Sequence, residues 1–174
     1  GYPIVTRLKA TAASACALLA WLASTPPAPA IAAAPSEAAL LKAAFVFNFT
    51  KYAEWPEGVF AAPDSPIWLC LLTAHGDATQ AMRTIDGRNS KGRVLRVKVV
   101  EDMGELKSCQ IVFVEQGGSG SLRRALISLG AAPVLTVGDG ENFATRGGII
   151  ELQASGQRLG FAVNIDAAKR AGVR

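Results

Sequence analysis

Few residues of this chain have types and spacings that could do chemistry. Three cysteines, Cys16, Cys70 and Cys109, and one histidine, His75, are the groups that bind metals, form disulfides or act as nucleophiles. Cys16 lies inside an N-terminal apolar stretch and leaves with it if that stretch is removed. Cys70 and Cys109 then remain as an even pair. In an oxidising compartment they read as a disulfide, the alternative being two buried free thiols. A bond between them would close a long loop and stabilise the fold by on the order of 4 kcal/mol. Metal binding is disfavoured, because neither cysteine belongs to a C-x-x-C pair and only His75 accompanies them. There is no P-loop, G-x-S-x-G elbow or H-E-x-x-H helix, and no nucleophile–base pair is evident. Neither an enzyme nor a cofactor is expected.

A binding cleft is the other chemistry open to these residues. His75 follows an apolar run and precedes Gly76-Asp77, a position beyond a strand's carboxyl end where α/β sheets place ligands. Gly117-Gly118-Ser119-Gly120-Ser121 precedes a helical segment and could cradle an anion with backbone N–H groups, or simply connect and cap. Asp139, Glu141 and Asn142 could hold a hard cation, or cap the turn that follows. His75, Ser119, Ser121, Asp139 and Asn142 are thus the candidate cleft residues, for a nucleotide or an amino acid.

The elements that must position these groups begin after residue 34. Arg7 and Lys9 precede the apolar stretch Ala12 to Ala23, and small residues at Ala30 and Ala32, or Ala32 and Ala34, fit an A-x-A cleavage site. Residues 1–34 therefore read as a cleaved signal peptide and 35–174 as a single exported domain. An uncleaved anchor is disfavoured by the short apolar core, and acylation at Cys16 by the apolar run continuing beyond it. With 50% hydrophobic and 18% charged residues the chain can build a core. Its net charge of +4 is spread from Arg7 to Arg174, which excludes a dedicated nucleic-acid binder. After residue 35 no apolar run approaches the roughly 20 residues that span a bilayer.

Helices and strands alternate along the domain. Ser36 opens a helix through LLKAAFVFNFTKYAEW that must stop before Pro56. Its surface is apolar nearly all round, so Phe45, Phe47, Phe49, Tyr52 and Trp55 are candidates either for the core or for a dimer or partner interface. Ile67 to Thr73 reads as a strand covered on both faces, Gly76 to Ile85 as a helix, and Arg93 to Val100 as an alternating strand with one wet face. Cys109 begins a buried strand, Ser119 or Ser121 caps a helix to Leu129, and Pro133 to Val137 is the next strand. A short helical turn over Glu141 to Thr145 follows. Gly148 to Gln153 and Arg158 to Ile165 form an antiparallel hairpin, and Asp166 caps a last short helix. The pattern predicts a three-layer α/β domain, a mostly parallel sheet flanked by helices, with one antiparallel edge made by the C-terminal hairpin.

LLKAAFVFNFTKYAEWP (Leu40 to Pro56), followed in order by Cys70 and Cys109, PVLTVGD (Pro133 to Asp139), GGIIEL (Gly147 to Leu152) and VNIDAAKRAG (Val163 to Gly172), resembles the YfiR-like family over nearly the whole mature chain. The resemblance implies a non-catalytic periplasmic repressor of a membrane-bound diguanylate cyclase. Such a protein keeps cyclic-di-GMP and biofilm formation low by binding the cyclase's periplasmic region. It also implies an outer-membrane lipoprotein that sequesters the repressor, and Cys70 and Cys109 match the family's disulfide positions. A homodimer is expected. Two departures stand out: the second cysteine pair of some relatives is missing from the stretch around Asp139 to Glu151, and the chain ends at Arg174, where relatives usually continue the last helix.

Overall fold

In a computed structural model, which describes residues 33–116, 119–156 and 158–174, the first element is set by Ser36. Its extended backbone lets Oγ accept the Ala39 N–H at 3.2 Å, capping α1 (Glu37–Tyr52). The helix stops at Ala53, which turns extended ahead of Pro56. Cys16 and nearly all of the expected signal peptide lie outside the described residues.

Seven strands follow: β1 (Ile67–Leu71), β2 (Asn89–Ser90), β3 (Arg93–Val99), β4 (Ile111–Val114), β5 (Leu135–Gly138), β6 (Ile150–Ser155) and β7 (Arg158–Val163). They form one mixed sheet in the order β2-β3-β1-β4-β5-β6-β7. The run from β3 to β6 is parallel, while β7 pairs antiparallel with β6 and β2 antiparallel with β3. Both edges are therefore antiparallel, not the C-terminal one alone. The additional edge is two residues long and carries no apolar pattern by which it could be read.

Alternation along β1 feeds two cores. Ile67, Leu69 and Leu71 face a layer that contains α1, α2 (Asp77–Arg83) and α4 (Ile165–Ala171), where Val46, Ala81, Met82 and Ala167 are buried. Trp68, Cys70 and Leu72 face the opposite layer, made by α3 (Ser119–Leu129) and a 3-10 turn over Met103–Ser108, with Leu106, Leu122, Ala125 and Leu129. Burial on both sides is why the central strands read as continuous apolar runs.

Several local expectations change. Asn164, not Asp166, caps α4: its Oδ1 accepts the Ala167 N–H at 2.9 Å. That helix closes on Gly172 in the left-handed conformation, with the Val173 N–H bonding back to the Ala168 carbonyl. The short turn expected over Glu141 to Thr145 is part of a longer series of turns that runs to Gly147, with Asn142 at φ 60°. Ser119 is the first residue of α3 and Ser121 lies inside it, so neither is the residue before the helix that would cap it.

Candidate functional site

The first functional pair is joined as expected. Cys70 in β1 and Cys109, just ahead of β4, form a disulfide with Cα atoms 6.1 Å apart. Both are buried in the second core. The bond links β1 to the entrance of its neighbour β4, and the two strands then run side by side from Leu69↔Ile111 to Leu71↔Phe113.

At the other end of the same two strands the chain departs in opposite directions. β1 leads through α2 toward β3, and β4 leads through α3 toward β5, so the β1–β4 boundary is the point where an open α/β sheet forms its crevice. A cleft of about 420 Å³ lies there, lined by His75, Gly76, Glu115, Gln116 and Ser121 among others. The structure thus brings His75 and Ser121 together. Asp139 is reached through Gln116, whose backbone N–H donates to Asp139 Oδ1 at 2.6 Å, while Oδ2 pairs with Lys42 Nζ at 2.6 Å. Asn142 is exposed on the turn beyond. Both oxygens of Asp139 are engaged, and no group of three His, Cys, Asp or Glu able to hold a metal ion occurs among the described residues.

The sequence reading missed Glu115. Its Oε1 accepts the Ala78 N–H at 2.9 Å and its Oε2 the Thr79 N–H at 3.1 Å, so the carboxylate occupies the first turn of α2. Gly76 makes this approach possible: its φ is 131°, and a Cβ at this position would run into the carboxylate. The position where this sheet type receives a phosphate is filled by a side chain of the chain itself. An acid closing an apolar strand, as in Val112-Phe113-Val114-Glu115, gives no signal of that role.

The aromatic residues of α1 divide. Phe47 is 4% exposed, and Arg88 lies over its ring at 3.8 Å and Lys51 at 5.0 Å. Phe49 is buried. Phe45 is half-buried, and Phe45, Phe49 and Phe161 of β7 form a cluster of edge-to-face rings 5.2–6.2 Å apart. Trp55 is half-buried too, donating Nε1–H to the Gln110 carbonyl at 3.2 Å and packing on Phe60. Tyr52 alone of the five is fully presented, at 79% exposed, about two turns along from the half-buried Phe45 and about three from the exposed Leu41. The apolar surface that α1 offers therefore includes Leu41, Phe45 and Tyr52 along one face, with the exposed Leu40 beside them, and it is extended by the exposed Phe161 and Val163 of β7.

Residues 39–174 match the family model described as YfiR/HmsC-like. The chain belongs to the YfiR/HmsC-like family. No curated protein matches it. In this YfiR/HmsC-like domain the segments on which the resemblance rests are largely fastenings. Glu54 exchanges backbone hydrogen bonds with Arg174, at 2.7 and 3.0 Å, and Trp55 holds Gln110. Gln110 in turn pairs with Trp68 through both its backbone and its side chain. Gly138 and Gly148 flank the ring of Phe143, where a Cβ on either would collide with it. Asn164 caps α4 and also donates Nδ2–H to the Ala144 carbonyl at 2.7 Å. No helix among the described residues is long and apolar enough to cross a membrane.

Proposed function

We propose that this chain is a non-catalytic periplasmic regulator, exported by a cleaved signal peptide. In this reading it binds the periplasmic sensor region of an inner-membrane diguanylate cyclase and represses it, lowering cyclic-di-GMP and biofilm formation. Family membership over residues 39–174 is the observation that carries the reading. The buried disulfide suits an oxidising compartment, and the apolar strip of Leu41, Phe45 and Tyr52 supplies a surface for a protein partner. A repressor of this kind shifts its target only by binding the inactive state more tightly than the active one. Moving the target from mostly active to mostly inactive takes about 5 kcal/mol of preference, a quantity that a few aromatic anchors can supply. An outer-membrane lipoprotein that competes for the regulator would relieve the repression.

The test is co-purification of the processed chain with the periplasmic region of a membrane diguanylate cyclase, with and without reductant. Capture is expected, and Tyr52→Asp should weaken it at least tenfold while leaving the thermal midpoint unchanged. Loss of capture on reduction adds redox control. Absence of capture in both states overturns the reading.

The cleft at the β1–β4 boundary favours a second role, the binding of a small ligand. Because Glu115 already fills the anion position, an amino acid suits the cleft better than a nucleotide. A thermal-shift screen checks this. A true ligand at 100 times its Kd adds roughly 2.7 kcal/mol to stability, and no shift with any amino acid removes the second role.

A further inference from the structure

On the face of the sheet opposite α1, a groove runs between α3 and the turns after β5. It holds about 440 Å³ and is lined by Leu122, Arg123, Leu126, Ile127 and Arg146. Helical spacing sorts the α3 residues. Leu122 is buried and Leu126 half-buried, so these two form the floor, while Arg123 and Ile127, one turn apart, stand on the same flank. Arg146 stands on the opposite wall, in the turn series that ends at Gly147. Gly147 keeps that wall close to the helix, because a Cβ there would come within 3.1 Å of Leu126 Cδ1.

Two features separate this groove from an ordinary solvated helix face. Ile127 is 72% exposed and extends the leucine floor out into the solvent. The charges are all of one sign: none of the lining residues is acidic, α3 contains no Asp or Glu, and Arg124 adds another exposed guanidinium just outside the groove. Among the described residues neither Arg123 nor Arg124 has an ion-pair partner.

We infer that this groove docks an acidic segment of a partner protein, whose aliphatic side chains cover Leu126 and Ile127 and whose carboxylates pair with the arginines. The occupant follows from charge and shape. Guanidinium forks match carboxylates in bidentate geometry. The apolar floor between them calls for an occupant that carries both chemistries side by side, as an amphipathic peptide does. The groove is open to solvent, so a small carboxylate would stay mostly in water. Its floor is recessed below the arginines, so a flat lipid surface would meet the guanidinium groups and leave Leu122 and Leu126 uncovered. This goes beyond the regulatory reading and does not depend on it, since α1 and α3 lie in opposite layers.

The test selects a displayed library of random peptides on the processed protein, with no cyclase present. Binders are expected to combine Asp or Glu with Leu, Ile or Phe, and to weaken as salt rises. Arg123→Glu and Ile127→Ser, both at exposed positions, should each weaken the synthesised binders about tenfold or more and leave the thermal midpoint unchanged. Lys91→Glu, the same charge reversal in the exposed turn between β2 and β3, should leave the affinity as it was. No enrichment overturns the inference, as do binders without acidic residues. Binding that survives either groove substitution, or that falls equally with Lys91→Glu, is general attraction to a basic protein and overturns it too. Flotation with phosphatidylglycerol vesicles that Arg123→Glu abolishes and the peptides cannot displace assigns the arginines to a lipid surface and likewise overturns it.

Discussion

Lys42 Nζ lies 2.6 Å from Asp139 Oδ2, an ion pair that fastens the first half of α1 to the loop after β5. The Asp139 side chain is 3% exposed, and its other oxygen accepts the Gln116 N–H, so helix and both loops meet on one carboxylate. Removing the lysine strands a buried charge, a change that costs about 3–5 kcal/mol when a pair is fully enclosed. Lys42 is partly exposed, and Lys42→Met is expected to lie at the lower end, about 3 kcal/mol. The double variant Lys42→Met/Asp139→Asn should lose less than the two single changes summed. Denaturant midpoints of the four proteins measure this.

Phe143 fills a slot whose walls are Gly138 and Gly148. Gly148→Ala is expected to destabilise by about 2–3 kcal/mol, because the added methyl group meets the ring in a well-packed interior. Gly120→Ala is the contrasting case. Its Cβ would meet nothing within 4 Å inside α3, so replacing a helical glycine should cost nothing and gain up to about 1 kcal/mol. Thermal melts of the two variants distinguish a steric wall from an ordinary helix position.

The Cys70–Cys109 bond spans a sequence separation of 39 residues. Chain-entropy reasoning assigns it about 4 kcal/mol, so Cys70→Ala/Cys109→Ala should lower stability by roughly that amount and remain foldable only if the two cores supply more. Both sulfur-bearing residues are buried. Reduction under native conditions should therefore proceed at the rate of chain opening and not in proportion to reductant, which timed thiol labelling reads directly.

Asp77 accepts hydrogen bonds from the Ser36 hydroxyl at 2.5 Å and the Ser36 backbone N–H at 2.9 Å. Chiefly through the hydroxyl bond, then the N–H bond, these hold its pKa below the ordinary 3.8, with a smaller contribution from the charge of Lys42. A depressed folded-state pKa gives stability that is complete above the unfolded value and is lost as pH falls through the folded one. Asp77→Asn should therefore reduce stability at pH 6 and flatten its decline below pH 4, as followed by melting temperature against pH.

Legibility in the sequence followed the strength of pattern. The run Ile67 to Thr73 announced a strand buried on both faces, and β1 is covered on both. The alternation in Arg93 to Val100 placed Leu95 inward and Arg96 outward, and the structure agrees. Cys70 and Cys109 were readable because compartment and parity pointed the same way. Ser36 was readable as a cap because its hydroxyl has a local partner. The surface of α1 was not: a helix apolar all round carries no phase, so nothing marked Phe47 as lying beneath Arg88 or Tyr52 as facing water. β2 escaped because two residues have no period. Glu115 and Asp139 take their roles from partners 37 and 97 residues away, separations at which a single sequence holds no trace of contact.

Glu115 acts as a tethered competitor. A free phosphate arriving at α2 would have to displace a carboxylate whose effective concentration, being intramolecular, is on the order of millimolar or higher, and it would bring its charge next to the displaced one. The first turn of α2 thus has its N–H groups at Ala78 and Thr79 satisfied from within the chain, before any ligand arrives.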